Sequence, residues 1–131
     1  MTYKFEQLEV WQLSVEYTDL IYSLAERLPH AEEYNLKSQI IRAATSVSLN
    51  IAEGSTGQTD PEQARFLGLA IRSLIETVAC QHLIRRRGYL ADESYLKQAY
   101  EQSQTLARKL QAFRKSLGSH KIHEDQADYL V

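Results

Sequence analysis

Arg65, Arg72 and Arg86 fit a seven-residue spacing interrupted at Ala79, and Arg85-Arg86-Arg87 concentrates three guanidinium groups at one point of the chain. Lys97, Arg108 and Lys115 share one face of the next amphipathic segment. Cations at such intervals can follow a phosphate backbone, and Tyr89 or His82 nearby can stack on unpaired bases. The same spacing suits a solvated helix face, so the pattern describes a surface and leaves both readings open.

Arg42, Asn50, Glu53 and Glu76 form a second polar group. Glu76 falls near Ser73, Cys80 and Leu83 on a partly apolar side of its helix, where an unpaired carboxylate is costly to desolvate. A partner is therefore expected for it, either Arg42 or donors on a neighbouring subunit, and all four residues are assigned to structure or assembly.

Catalytic chemistry has no positive signal. A di-iron bundle needs inward Glu residues and paired Glu-x-x-His motifs; the chain contains no Glu-x-x-His, and its inward positions are apolar. His120 and His123 make a His-x-x-His in the C-terminal tail, too few ligands to define a metal centre. Neither a Ser-His-Asp nor a Cys-His arrangement is supported. The lone Cys80 lies among apolar residues, as a buried thiol does in a reducing compartment. No catalytic residue, metal or cofactor is assigned.

The elements that must position these residues follow from periodicity. Leu8, Trp11, Val15, Thr18, Tyr22, Ala25 and Leu28 define the inward stripe of a first helix that Pro29 stops, with Glu9, Glu16, Asp19 and Glu26 on its wet side. The second helix runs from Asn35 towards Gly57: Leu36, Ile40, Ala43, Val47 and Ile51 face one way, and Gly54 or Gly57 closes it. Thr59-Asp60-Pro61-Glu62 starts a third helix that reaches Arg87 and ends at Gly88. Its two apolar faces are Leu67, Ala70, Ile71, Leu74, Val78 and Ile84, and Phe66, Leu69, Ser73, Cys80 and Leu83. A fourth helix runs from Asp92 to Leu117, with Tyr95, Leu96, Ala99, Ser103, Leu106, Leu110 and Phe113 inward.

Long helices with short connections predict an all-α, antiparallel up-down-up-down four-helix bundle over residues 1–118, followed by a flexible tail over 119–131. The N-terminus lacks a signal-peptide pattern and no apolar run reads as long enough to cross a bilayer, so the expected location is cytoplasmic, with no membrane partner.

The formal net charge of −2 hides a polarity. Residues 1–64 hold four Lys/Arg against ten Asp/Glu, and residues 65–118 hold ten against four. An acidic side docking on the basic side of a second copy makes a heterologous contact, which closes as a ring. Helices apolar on two sides would supply the core of that contact, so a cyclic homo-oligomer is expected.

Phe5, Leu8, Val10 and Trp11, then Leu28-Pro29 and Leu36-Lys37-Ser38-Gln39, lead to a block of Arg42-Ala43-Ala44, Ser46 and Asn50-Ile51-Ala52-Glu53-Gly54. Phe66-Leu67, Ala70, Ser73-Leu74, Glu76 and Gly88-Tyr89-Leu90 extend the pattern. On these residues, over about 5–117, the chain resembles the four-helix-bundle family of 23S rRNA intervening-sequence proteins. That family is similar in turn to the accessory variability proteins of diversity-generating retroelements. The resemblance implies a four-helix bundle and a pentameric ring. Through the retroelement relatives it implies binding of RNA and a reverse transcriptase by a basic surface. Family members often carry Pro between the Ser and Asn of the central block; Ser48-Leu49 stands there in this chain, which predicts a straighter second helix.

Together these readings describe a non-enzymatic ring-forming bundle that serves as a nucleic-acid-binding or ribonucleoprotein scaffold, RNA favoured over DNA. Arg65, Arg72, Arg85, Arg86, Arg87, Lys97, Arg108 and Lys115 are its phosphate contacts. The alternative is a protein adaptor, accessory to a reverse transcriptase, whose charged faces serve assembly alone.

Overall fold

Thr59, extended in backbone, accepts a hydrogen bond from the Glu62 N–H on its Oγ1 at 3.3 Å and so caps the longest helix, with Pro61 in the first turn. A computed structural model describes residues 2–56 and 59–118. Its helices are α1 (Glu9–Ala25), α2 (Leu36–Ser55), α3 (Asp60–Arg87) and α4 (Ser94–Ser116), with short 3-10 turns at Lys4–Gln7 and His30–Glu32. No strand occurs among the described residues. Gly57 as a helix terminator, the tail over 119–131 and the His120/His123 pair lie outside them.

Boundaries differ from expectation where side chains or tight turns intervene. The chain leaves α1 at Ala25 because Arg27 and Leu28 donate to Leu24 and Ala25 three residues back, a tightened last turn before Pro29. α4 starts at Ser94, since Asp92 uses its carboxylate to accept the Ser94 N–H at 2.9 Å. Gly88 closes α3 in the left-handed region, φ 67° and ψ 31°, as its position predicts. Gly54 does not end α2. It lies inside the helix, where an added Cβ would stand 2.7 Å from the Cβ of Phe66, so its task is close packing of α2 on α3. Glu62 does not complete the capping box; its carboxylate turns to Arg65 at 2.9 Å.

Each helix packs on its sequence neighbours, and α4 returns to α1, so the four form a closed square with the α1/α3 and α2/α4 pairs on its diagonals. That is the expected up-down-up-down bundle, all-α. Ile21, Leu24, Ile40, Val47, Ile51, Leu67, Leu74, Ile84, Leu106 and Leu110 fill its centre. α2 runs unbroken through Ser48-Leu49.

The inward stripe of α1 is rotated from the expected one. Val10, Ser14, Tyr17, Ile21 and Leu24 are buried, whereas Val15 and Tyr22 are exposed. Two polar residues can occupy the interior because each finds a partner there: the Ser14 hydroxyl lies 2.9 Å from that of Ser48, and the Tyr17 hydroxyl 2.7 Å from that of Thr77. In α3, Thr77 and Gln81 are buried and Val78 is only half-buried, again because the hydroxyl and amide join the Tyr17 network.

The 28-residue α3 also corrects the expectation about apolar runs, since by length and composition it could cross a bilayer. Half of its most apolar window is buried inside the bundle, against α2 and α4. Packing on two sides accounts for that apolarity.

Candidate nucleic-acid interface

The square arrangement turns the charge polarity of the sequence into a polarity in space. α1 and α2 carry the acidic half and form one side; α3 and α4 carry the basic half and form the opposite side. Arg27 joins the two sides at one end, its guanidinium 3.9 Å from the centre of the Tyr95 ring.

A groove of ≈ 750 Å³ opens between the C-terminal half of α3 and the N-terminal half of α4. Gln81, His82 and Arg85 line it from α3; Lys97, Tyr100 and Glu101 line it from α4, with Glu93 at the turn between them. Arg85 reaches Glu93 at 3.9 Å, a long contact between two exposed side chains that holds neither firmly. His82 meets Tyr100 edge to face at 6.1 Å. Gln81 is buried; its amide N–H donates to the Tyr17 hydroxyl at 2.7 Å, and its Oε1 has no hydrogen-bond partner among the described residues.

The eight predicted phosphate contacts divide on this frame. Arg85 and Lys97 converge on the groove. Arg72, Arg86, Arg108 and Lys115 are exposed and form no ion pair among the described residues, which leaves their charge available to a ligand. Arg65 is engaged within its own helix, paired to Glu62 and lying 4.6 Å over the Phe66 ring. Arg87 lines a different, smaller groove between α2 and α3, together with Glu32, Glu76 and Leu83. The structure therefore gathers some of the eight and separates others.

Tyr89, a candidate for base stacking, is used structurally. Its hydroxyl donates to Glu32 at 2.6 Å, and Glu32 also accepts from the Asn35 side chain and the Leu36 N–H. The Tyr89 hydroxyl, then the Asn35 amide, hold the Glu32 carboxyl below its ordinary range. This buried carboxylate fastens the α1–α2 connection to the α3–α4 connection. Tyr100, exposed to 43% and in the groove, is the aromatic residue that sequence reasoning missed. Its spacing of three from Lys97 was the available signal.

The second polar group is spread out. Asn50 donates to the backbone and hydroxyl oxygens of Ser46 at 2.9 and 3.1 Å, and Ser46 meets Ser73 of α3 at 2.9 Å, a structural link between α2 and α3. Arg42, Glu53 and Glu76 are exposed. Glu76 pairs neither with Arg42 nor with another cation among the described residues. Exposure removes the desolvation cost that made a partner necessary. Cys80 is buried, and burial pushes its thiol up, with the Glu76 carboxylate adding to the effect. No cluster of three or more metal-ligating side chains occurs among the described residues.

The fold is similar to that of a protein of unknown function from the S23 ribosomal protein family of Bacteroides thetaiotaomicron VPI-5482, solved at 1.70 Å. The two are 24% identical with a TM-score of 0.74, over 81% of this chain and 98% of that one; the likeness concerns the fold. No curated protein matches the chain. The family model described as 23S rRNA-intervening sequence protein matches residues 6–112, most of the bundle, and on that match the chain belongs to the family of 23S rRNA-intervening sequence proteins.

Proposed function

We propose that the protein is a non-enzymatic nucleic-acid-binding scaffold, RNA favoured, that works through the α3/α4 side of its bundle. The observation that carries this reading is the concentration of Arg72, Arg85, Arg86, Lys97, Arg108 and Lys115 on two adjacent helices, five of them without any ion pair among the described residues and Arg85 with a long one. Unpaired exposed cations cost little to bring to a phosphate chain and release its counterions on contact. Family resemblance to RNA-binding retroelement proteins, on top of the match to the 23S rRNA-intervening sequence proteins, is the reason RNA is favoured over DNA.

Titration of the purified protein against structured RNA, single-stranded RNA and duplex DNA at several salt concentrations tests the reading. Binding whose logarithm falls linearly with log salt, with a slope of roughly −0.7 per contacted phosphate for single strands, is the expected result. No binding at low salt overturns it.

Leu49 and Leu83 support assembly as a cyclic homo-oligomer, a pentamer by family resemblance. Each is more than half exposed on α2 and α3 (55% and 54%), large apolar side chains on outer helix faces that a second copy would cover. Acidic and basic sides of one bundle are then free to meet head to tail. A single monomeric species in sedimentation at micromolar concentration overturns assembly. Should the basic side prove engaged between subunits, the scaffold's partner becomes a protein, a reverse transcriptase among the options.

A further inference from the structure

The groove between α3 and α4 has more than cations in it, and its other groups have no role in holding a phosphate chain. It is the size of a small-ligand pocket. Tyr100 exposes 43% of its surface there and touches the His82 ring edge-on. Gln81 is 4% exposed and lines the inner side of the groove; its amide N–H is held by Tyr17 and its Oε1 is shut off from solvent, so neither is open to a ligand. Glu101 is exposed and forms no ion pair among the described residues, which leaves its carboxylate as an acceptor on the groove.

We propose that this groove seats one unpaired nucleotide of a single-stranded RNA, with guanine the preferred base. The inference rests on the nucleic-acid reading above and deepens it. Arg85 and Lys97 meet the flanking phosphates, and Tyr100 stacks on the base, an interaction open only to a base not already stacked in a duplex. The Glu101 carboxylate takes hydrogen bonds from the base edge. Guanine offers the N1–H and the exocyclic N2 amino group side by side, two donors for the two oxygens of the carboxylate. Uracil carries one N–H between two carbonyl oxygens, which the carboxylate repels.

Fluorescence anisotropy with three labelled probes tests this: a ten-residue oligouridine, the same strand with one central guanine, and a hairpin with that guanine paired in its stem. The expected result is roughly tenfold tighter binding of the guanine strand than of the other two. Tyr100→Ala lowers that affinity by a similar factor and leaves the hairpin unaffected. Glu101→Gln removes most of the preference for guanine over uracil. Both side chains are exposed, so neither substitution threatens the fold. Equal affinity for all three probes, unmoved by Tyr100→Ala, overturns the seat and leaves the phosphate-binding side intact. Failure to bind any probe at low salt overturns both.

Discussion

The Tyr17 hydroxyl lies 2.7 Å from the Thr77 hydroxyl, and through that contact α1 is bound to α3 across the diagonal of the bundle. Thr77 donates to the Leu74 carbonyl at 2.6 Å, so Tyr17 is the donor to Thr77, and it accepts from the Gln81 amide on its other side. Three linked hydrogen bonds, from Gln81 to Tyr17 to Thr77 to the Leu74 carbonyl, thus run between the wall of the groove and the interior.

Tyr17→Phe removes the acceptor for Gln81 and the donor to Thr77 while keeping the ring. The expected loss is about 1–3 kcal/mol in urea unfolding, since the buried amide loses its partner. An unchanged midpoint contradicts the network's role.

Alkaline pH acts on the same residue. Burial pushes the Tyr17 hydroxyl from 10.0 to about 12. Above pH 10 the unfolded chain releases this proton and the folded one retains it, so the unfolded state binds fewer protons and stability falls as pH rises. The loss begins near pH 10, is complete above about 12, and amounts to roughly 3 kcal/mol at most. Unfolding followed across that range should show a decline that Tyr17→Phe lacks.

Acid acts on Glu32. Its carboxyl is held below the ordinary value, 4.5, chiefly by the Tyr89 hydroxyl. The unfolded chain then takes up this proton first as pH falls, so the stabilisation present above pH 4.5 is lost progressively below it. Glu32→Gln should flatten that acid limb of the stability curve, and Tyr89→Phe should diminish it.

Gly54→Ala sets helix propensity against packing. Alanine gains about 1 kcal/mol in a helix interior, but its Cβ would stand 2.7 Å from the Cβ of Phe66, which cannot swing away. Overpacking of about 1–3 kcal/mol should win, giving a net loss in thermal or urea unfolding. Gly68→Ala meets the end of the Arg114 side chain at 3.2 Å, a group that can shift, so its loss should be the smaller of the two.

Charge reversal separates the basic residues by position. Arg85→Glu with Lys97→Glu should weaken RNA binding and lower the salt slope by roughly two phosphate contacts. Arg65→Glu should leave the slope nearly unchanged, because Arg65 already serves Glu62 and Phe66. Slopes from titrations at matched salt decide between them.

The architecture was legible in the sequence because its signals are local. Thr59-Asp60-Pro61 and Gly88 mark helix ends by backbone chemistry that acts within a few residues. Apolar periodicity specified four helices, and their short links specified antiparallel neighbours. Charge counted along the chain also survived into space, because α1 and α2 share one side of the square and α3 and α4 the other. The inward stripes of α2 and α4 were legible as well, but the rotation of α1 about its axis and the inward turn of Thr77 and Gln81 in α3 were decided only by packing. Tyr17, Ser14, Thr77 and Gln81 turned inward because each found a hydrogen-bond partner on another helix, up to 64 residues away, and no local pattern encodes such a partner. The same distances decided the groove: Arg85 and Lys97 share it while Arg87, two residues on, belongs to another, since 100° of rotation per residue sends near neighbours to different faces.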